Sequence, residues 1–294
     1  GLCGGLFGGL LGIGGGSAIA PLLLMTGRLR PAQVAGTTLA TVLLISAVGS
    51  VAYASLGHFD LGLVWPIAAG TIAGSTLGAL SSGRLSTRVM LLMFLVILPY
   101  FAVKEFFPGV GAPSIGTGLV PLAMLGLGSG FLSGLLGISG ASLIVPSLVA
   151  FFFIDHHAAQ GVAISVALVD SVAGGATHAR VGHINYRAVM YMAGPAIVAA
   201  LTGSLVSNAL PADTLQVIFG VFLTVMSVVL LARLSKSILR RVATSVASSG
   251  SAVNGVRAPG VQPEAVAQNP PRPAPPSSPR ATRKFGLRGL VNWD

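Results

Sequence analysis

The sequence LLGIGGGSAIAP at residues 10–21 decides the fold, because it places a cluster of glycines inside an otherwise apolar segment. A close copy, LLGISGASLIVP, occupies residues 135–146, which is 125 positions later. At the same offset, and without a gap, Gly57-His58 pairs with Gly182-His183. A register kept over this length indicates an internal duplication.

The composition indicates a polytopic membrane protein. Only 8% of the residues are charged, 53% are hydrophobic, and the mean hydropathy is +0.86. A soluble globular domain has a charged fraction of roughly 25%. Apolar stretches close to the ~20 residues that cross a bilayer recur from the first residue to residue 232. The fold class is therefore all-α, and the lipid bilayer surrounds most of the chain.

The net charge of +10 does not indicate nucleic-acid binding, because ten of the 17 basic residues lie from Arg233 onward. From residue 240 the chain is rich in Pro, Ser, Ala and Arg. Such a segment lacks the apolar surface needed to fold. We therefore expect residues 240–294 to form a disordered tail at the cytoplasmic face.

Each copy of the duplication is expected to contain one helix broken at its glycines and three further spans. The broken elements are 1–26 and 115–154. The first is followed by spans 33–56, 61–82 and 89–103, and the second by spans 158–179, 188–209 and 213–232. The predicted membrane repeats are thus residues 1–114 and 115–239.

The charges of the loops predict that the two repeats are inverted. Arginine-bearing loops are expected in the cytoplasm, and the alternate loops outside. Segment 115–154 must then enter and leave on one side, either as a re-entrant hairpin or as two short crossings. Because three is an odd number, each repeat ends on the side opposite to the one where it began. Equivalent helices of the two repeats therefore cross the membrane in opposite directions. The cytoplasmic loops carry Arg28, Arg30, Arg84, Arg88, Arg180 and Arg187, and the outer loops carry His58, Asp60, Lys104, Glu105, Asp155 and Asp213.

Inverted repeats with matching broken helices are typical of secondary transporters, whose site lies where the half-helices end. A helix start presents unpaired N–H groups and the positive end of the helix dipole, which attract an anion. Ser17 and Ser142 are expected at the N-cap or in the first turn of the new helices. The other interpretation is that the glycines only permit close helix packing. The candidate substrate-binding residues are Gly14, Gly15, Gly16, Ser17, Ser139, Gly140, Ala141 and Ser142.

Asp170 is the one carboxylate placed well inside a predicted span. An ionisable residue there is costly and is a functional candidate by default. It is interpreted either as a carrier of a coupling proton or as a protonated side chain bonded to a neighbouring helix; its repeat equivalent is Ile45. His178, two turns further on, belongs either to a proton path with His183 or to the membrane interface.

Two further interpretations compete with transport. Gly137-Ile138-Ser139-Gly140 has the G-x-S-G form of rhomboid-like intramembrane proteases, but a serine nucleophile needs a histidine base, and the first copy has Gly14 at the serine position. A packing protein without transport would use the glycines purely for helix contacts. His156-His157 lacks enough close ligands for zinc, so we expect no metal and no bound cofactor.

The doubled glycine cluster, each copy followed by Pro21 or Pro146, resembles the TauE/SafE family of bacterial sulfite and organosulfur anion exporters. The resemblance covers roughly residues 1–232, and the second copy departs from it at Ser139 and Ala141. It implies a multi-pass transporter of a small anion such as sulfite or a sulfonate in the bacterial plasma (inner) membrane. The expected partners are this anion and membrane lipid, without nucleic acid, and a homo-oligomer is compatible with the sequence.

Overall fold

The computed structural model describes residues 1–106, 116–229 and 231–232, and the helices in these residues confirm the predicted all-α membrane architecture. The described residues all belong to one compact unit. The predicted tail, 240–294, lies outside the described residues. The helices are α1 (Leu2–Leu10), α2 (Gly16–Thr26), α3 (Pro31–Ser55), α4 (Leu61–Ser81), α5 (Thr87–Phe106), α6 (Leu119–Leu136), α7 (Ala141–Phe152), α8 (His156–Arg180), α9 (Tyr186–Ala209) and α10 (Ala212–Val229), with a 3-10 turn at Ser82–Arg84.

Six of the described helices are long and apolar enough to cross a membrane, namely α3, α4, α6, α8, α9 and α10. Large apolar side chains cover their outer surfaces, as expected where lipid replaces water as the solvent. Val51, Val120, Met190 and Tyr191 are each 70% exposed or more. The protein is thus an integral membrane protein with its polar groups turned inward.

Both predicted helix breaks are present at the glycine clusters. Residues 11–15 separate α1 from α2, and residues 137–140 separate α6 from α7. The chain turns there through the left-handed region, which glycine enters at little cost. The positive φ angles are 67° at Gly12, 67° at Gly14, 75° at Gly15, 74° at Gly137 and 62° at Ser139.

The first helix of each half packs on the other half of the chain: α1 lies mainly on α9, and α6 mainly on α4. Glycines make these crossings so close that a Cβ atom would collide with a backbone carbonyl of the opposing helix, as is typical of small-residue packing in membranes. The contacts repeat at the 125-residue offset. Gly5 and Gly9 meet Ala196 and Ala200, whereas Gly130 and Gly134 meet Thr71 and Ser75.

The equivalent helices α3 and α8 lie side by side and antiparallel at the centre of the molecule. Ser46 Oγ and Ser171 Oγ, at equivalent positions, are 3.4 Å apart. Towards the two ends, Gly36 packs against the carbonyl of His183, and its equivalent Gly161 packs against the carbonyl of His58. The described parts of the two halves therefore make the same contacts with each other in both directions.

Candidate substrate site at the two helix breaks

The two helix breaks are in direct contact. A Cβ atom on Gly16 would lie 2.6 Å from the carbonyl carbon of Ile138, and one on Gly14 would lie 3.1 Å from Ser139 Oγ. The structure therefore brings both groups of sequence-predicted binding residues into one place. Every one of them is buried, so this conformation encloses the breaks: Gly14, Gly15, Gly16, Ser17, Ser139, Gly140, Ala141 and Ser142.

The two serines after the breaks both lie in the first helical turn, but they differ in hydrogen bonding. Ser142 Oγ donates to the carbonyl oxygens of Ile138 at 3.0 Å and Ser139 at 2.8 Å, so it stabilises its own loop. Ser17 Oγ is buried without a hydrogen-bond partner in the described chain. An unpaired buried hydroxyl costs about 1–3 kcal/mol, and a substrate oxygen or water would remove this cost.

Asp170 lies at the second break and is completely buried. Its Oδ2 atom accepts hydrogen bonds from Ser133 Oγ and from the amide of Gly140, the latter at 3.1 Å. Its Oδ1 atom has no hydrogen-bond partner among the described residues. The carboxyl group that the sequence placed inside a span thus contacts the start of α7 directly.

Asp170 makes the two helix starts unequal. At the start of α7, the carboxyl group of Asp170 accepts a hydrogen bond from the Gly140 amide. The residue equivalent to Asp170 in the first half is Ile45, whose side chain is apolar. In α2 the first helical hydrogen bonds are those that Ala18 and Ile19 donate to Gly15. The amides of Gly15, Gly16 and Ser17 precede these first helical hydrogen bonds.

Ser139 is one of two non-glycine residues with a positive φ among the described residues. Its equivalent in the first break is Gly14, which adopts nearly the same angle without the strain of a Cβ atom. The Ser139 hydroxyl has no hydrogen-bond partner in the described chain. No histidine base therefore activates it, which argues against the protease interpretation.

His178 is fully buried and lies in the last turn of α8. Its Nε2 atom donates to the carbonyl oxygen of Gly134 at 2.8 Å, and its Nδ1 atom is 3.3 Å from His183 Nδ1. Gly134 adjoins Ser133, which bonds Asp170. His178 is thus linked to Asp170 through the end of α6.

The equivalent of His178 in the first half is Tyr53, a residue that the sequence analysis did not select. Its hydroxyl lies 3.0 Å from the carbonyl oxygen of Gly9, the equivalent of Gly134, and also contacts Gln160 Oε1 at 3.2 Å and Ser207 Oγ at 3.0 Å. Tyr53 and His178 therefore bond equivalent carbonyl groups, each near the end of the first helix of its half. The 125-residue offset pairs the two positions, but their different side chains conceal the shared role.

Two broken helices that meet at a buried polar centre, within a sheath of lipid-exposed apolar helices, place this chain among the polytopic membrane transporters. The chain belongs to the sulfite exporter TauE/SafE family, whose model matches residues 1–230 and also residues 122–286. It is therefore a membrane transporter and not an enzyme.

Two curated relatives come from Bacillus subtilis (strain 168). The chain is 24% identical over 258 residues to "Probable membrane transporter protein YunE", covering 76% of this chain and 92% of the relative. It is 28% identical over 105 residues to "Probable membrane transporter protein YdhB", covering 36% of this chain and 43% of that relative. No solved structure matches the chain.

Proposed function

We propose that this protein is a secondary transporter that moves a small, sulfur-containing anion, resembling sulfite or a sulfonate, across a bacterial plasma membrane by alternating access. The observation that carries the proposal is the contact of the two breaks, with Gly16 against Ile138 and Gly14 against Ser139. Irregular backbone at membrane depth persists only where it is packed in protein or lines a wet cavity. The unpaired hydroxyls of Ser17 and Ser139 favour a role for the breaks in lining a wet cavity.

The anion binds at the start of α2 in this proposal. The amides of Gly15, Gly16 and Ser17 donate to its oxygens, and the dipole of an 11-residue helix adds positive potential. The hydroxyls of Ser17 and Ser139 complete the donor set. An oxyanion with several oxygens suits this arrangement, because donors from both breaks reach it together.

Asp170 couples the movement of the anion to a proton. While its carboxyl group is ionised, it accepts the Gly140 amide and places a negative charge beside the substrate. Protonation of the carboxyl group removes that charge and weakens its hold on Gly140, so this amide becomes a further donor to the anion. His178 and His183 connect the same region to one end of the molecule and supply the path for the proton.

The antiparallel pair α3 and α8 supports inverted repeats, assigned to residues 1–114 and 115–239. Because the two repeats contact each other reciprocally, they can exchange conformations. The molecule would then have two related states, one open at each end, as alternating access requires. The loops with Arg28, Arg30, Arg180 and Arg187 are assigned to the cytoplasm. The tail, 240–294, would lie on the same side, close to anionic lipid.

The decisive experiment is flux into proteoliposomes with a panel of sulfite, sulfate, short sulfonates and carboxylates, each at two pH values. We expect saturable flux of a sulfur oxyanion or sulfonate that changes with pH, and no comparable flux of the carboxylates. Absence of flux for every anion in correctly inserted protein would refute the function. Preference for a carboxylate would refute only the substrate class.

Removal of residues 240–294 tests the role assigned to the tail. Because the breaks and Asp170 all lie before it, the truncated protein should transport at the rate of the full chain. Loss of flux with normal insertion would show that the tail takes part in transport.

A further inference from the structure

A polar cavity of about 420 Å³ opens at the arginine-bearing end of the molecule. It lies between the start of α3, the turn after α4 and the connection from α8 to α9. Its volume is within the roughly 300–1,000 Å³ typical of small-molecule sites. The polar side chains in its lining are Arg30, Gln33, Ser82 and His183.

Arg30 supplies the fixed positive charge of the cavity lining and has no carboxylate partner within the described residues. The neighbouring charged side chains on the surrounding elements are Arg84 in the turn after α4, Arg180 at the end of α8 and Arg187 at the start of α9, all of the same sign. Clefts lined by one sign of charge raise the local concentration of counter-ions. The cavity is therefore suited to anions.

The equivalent positions at the other end of the molecule are differently occupied. Asp155 replaces Arg30, and its carboxylate caps α8 by accepting the His157 amide at 3.0 Å. His58, the equivalent of His183, contacts Asn208 Oδ1 at 3.0 Å. Ser207, the equivalent of Ser82, donates to Gln160 Oε1 at 3.1 Å. The polar groups of this end are thus bound to one another. At the arginine end, Ser82 Oγ donates to the carbonyl oxygen of Ala79 at 2.7 Å and Gln33 Oε1 accepts from the Arg30 amide at 3.2 Å, whereas the charged side chain of Arg30 lines the cavity.

We propose that this cavity is a second anion site, a vestibule that receives the substrate from the arginine-bearing face before it reaches the breaks. Its ligand is a small soluble oxyanion with one or two negative charges, held by Arg30 and His183. His183 forms the inner wall, because its Nδ1 atom contacts the buried His178. The proposal deepens the transport function and rests on it for the direction of the path, but the anion affinity of the cavity can be measured without transport.

The test uses a cysteine placed in the cavity wall. A Cβ atom on Gly83 would meet only the His183 ring, at 3.8 Å, so Gly83→Cys fits without collision. Replacement of the one native cysteine by Cys3→Ser leaves a single thiol. We compare the rates at which this thiol reacts with anionic sulfonatoethyl methanethiosulfonate and cationic trimethylammonioethyl methanethiosulfonate, in liposomes of neutral phosphatidylcholine.

The anionic reagent should react at least about threefold faster than the cationic reagent, relative to a small free thiol, because the cavity concentrates anions. Arg30→Gln should remove most of this preference, because Arg30 is the arginine in the cavity lining. Arg28→Gln is the matched control: it removes the same charge two residues away, outside the cavity lining, and should leave most of the preference. Equal rates for the two reagents, or equal effects of the two substitutions, would overturn the proposal.

Protection separates a soluble anion from a lipid headgroup. Ethanesulfonate, which does not consume the reagents, should slow modification of Gly83→Cys in neutral liposomes in proportion to its concentration. Protection by phosphatidylglycerol in the bilayer but not by ethanesulfonate would overturn the proposal in favour of a lipid site. If modification shows the anion preference while no anion is transported, the vestibule stands and the transport function fails.

Discussion

Ser139 and Gly14 occupy equivalent positions in the two helix breaks, and both adopt left-handed backbone angles, with φ of 62° and 67°. A side chain in this region costs roughly 1–2 kcal/mol relative to glycine. Strained non-glycine residues that persist in a fold are concentrated at functional sites. In the proposed function, the hydroxyl of Ser139, which is buried and unpaired in the described chain, is the group for which this strain is retained.

Ser139→Gly should therefore stabilise the protein while impairing transport. We expect a gain of about 1 kcal/mol in the free energy of unfolding from relief of backbone strain, together with a raised KM for the transported anion. Phe153→Gly is the matched control, since Phe153 also has a positive φ, 54°, but is 62% exposed. It should raise stability without altering KM. An unchanged KM in Ser139→Gly would show that the hydroxyl does not contact the substrate.

Asp170→Asn should remove the pH dependence of transport. Asparagine keeps the shape of the side chain and an oxygen that accepts from Ser133 and Gly140, but it does not ionise. Flux in proteoliposomes at two pH values measures the effect. Asp155→Asn is the control, because asparagine also caps a helix well and Asp155 is the N-cap of α8, at the end of the helix opposite to His178. Wild-type pH dependence in Asp170→Asn would exclude this residue as the proton carrier.

Tyr53→Phe should destabilise the protein without altering which anion is transported. Loss of the hydroxyl leaves Gly9, Gln160 and Ser207 short of one buried partner, at a cost of about 1–3 kcal/mol. Thermal unfolding in detergent measures the loss. Tyr100→Phe, at a side chain that is 49% exposed, should have little effect. Equal stability of the two variants would mean that the carbonyl of Gly9 does not need the hydroxyl.

Ser46→Cys together with Ser171→Cys should form a disulfide on mild oxidation, since the hydroxyl oxygens are 3.4 Å apart and disulfides need closely spaced Cβ atoms. A protease site inserted in residues 107–115 of a Cys3→Ser chain allows the chain to be cut between the two cysteines. If the disulfide has formed, the two fragments stay together on a gel without reductant and separate when reductant is added. Ser46→Cys with Ser165→Cys is the control, since Ser165 lies about 9 Å further along α8. Equal linkage of both pairs would contradict the observed α3 and α8 register.

The sequence was sufficient to predict the helices and both breaks, because the responsible signals are local. Three successive glycines disfavour a helix at the first break, and the second break carries glycines at the equivalent positions 137 and 140. Apolar runs of bilayer length indicate membrane-spanning helices. The placement of Asp170 inside a span was equally local. Its contact with Gly140 was not, since it joins segments 30 residues apart through the packing of α6, α7 and α8.

The residues that the sequence analysis missed are those whose role depends on contacts between helices that are distant in the chain. Ser133 was one small residue among many in an apolar helix, and only the fold brings it to Asp170. Tyr53 and His178 share a structural role but have different side chains, so a comparison of the two sequence copies does not identify them as equivalent. Gln160 of the second half accepts a hydrogen bond from Tyr53 of the first half, whereas the equivalent of Gln160 is Ala35, and no periodicity marks the difference.

The exchange of first helices between the halves bears on how such a molecule arose. Since α1 lies on α9 and α6 lies on α4, each helix pair takes one member from each copy of the duplicated gene. A single ancestral copy would have left its glycine-lined helix faces uncovered until a second chain supplied the matching helices. With the proposed inverted topology, an unduplicated ancestor with this architecture would have needed two identical chains inserted in opposite orientations.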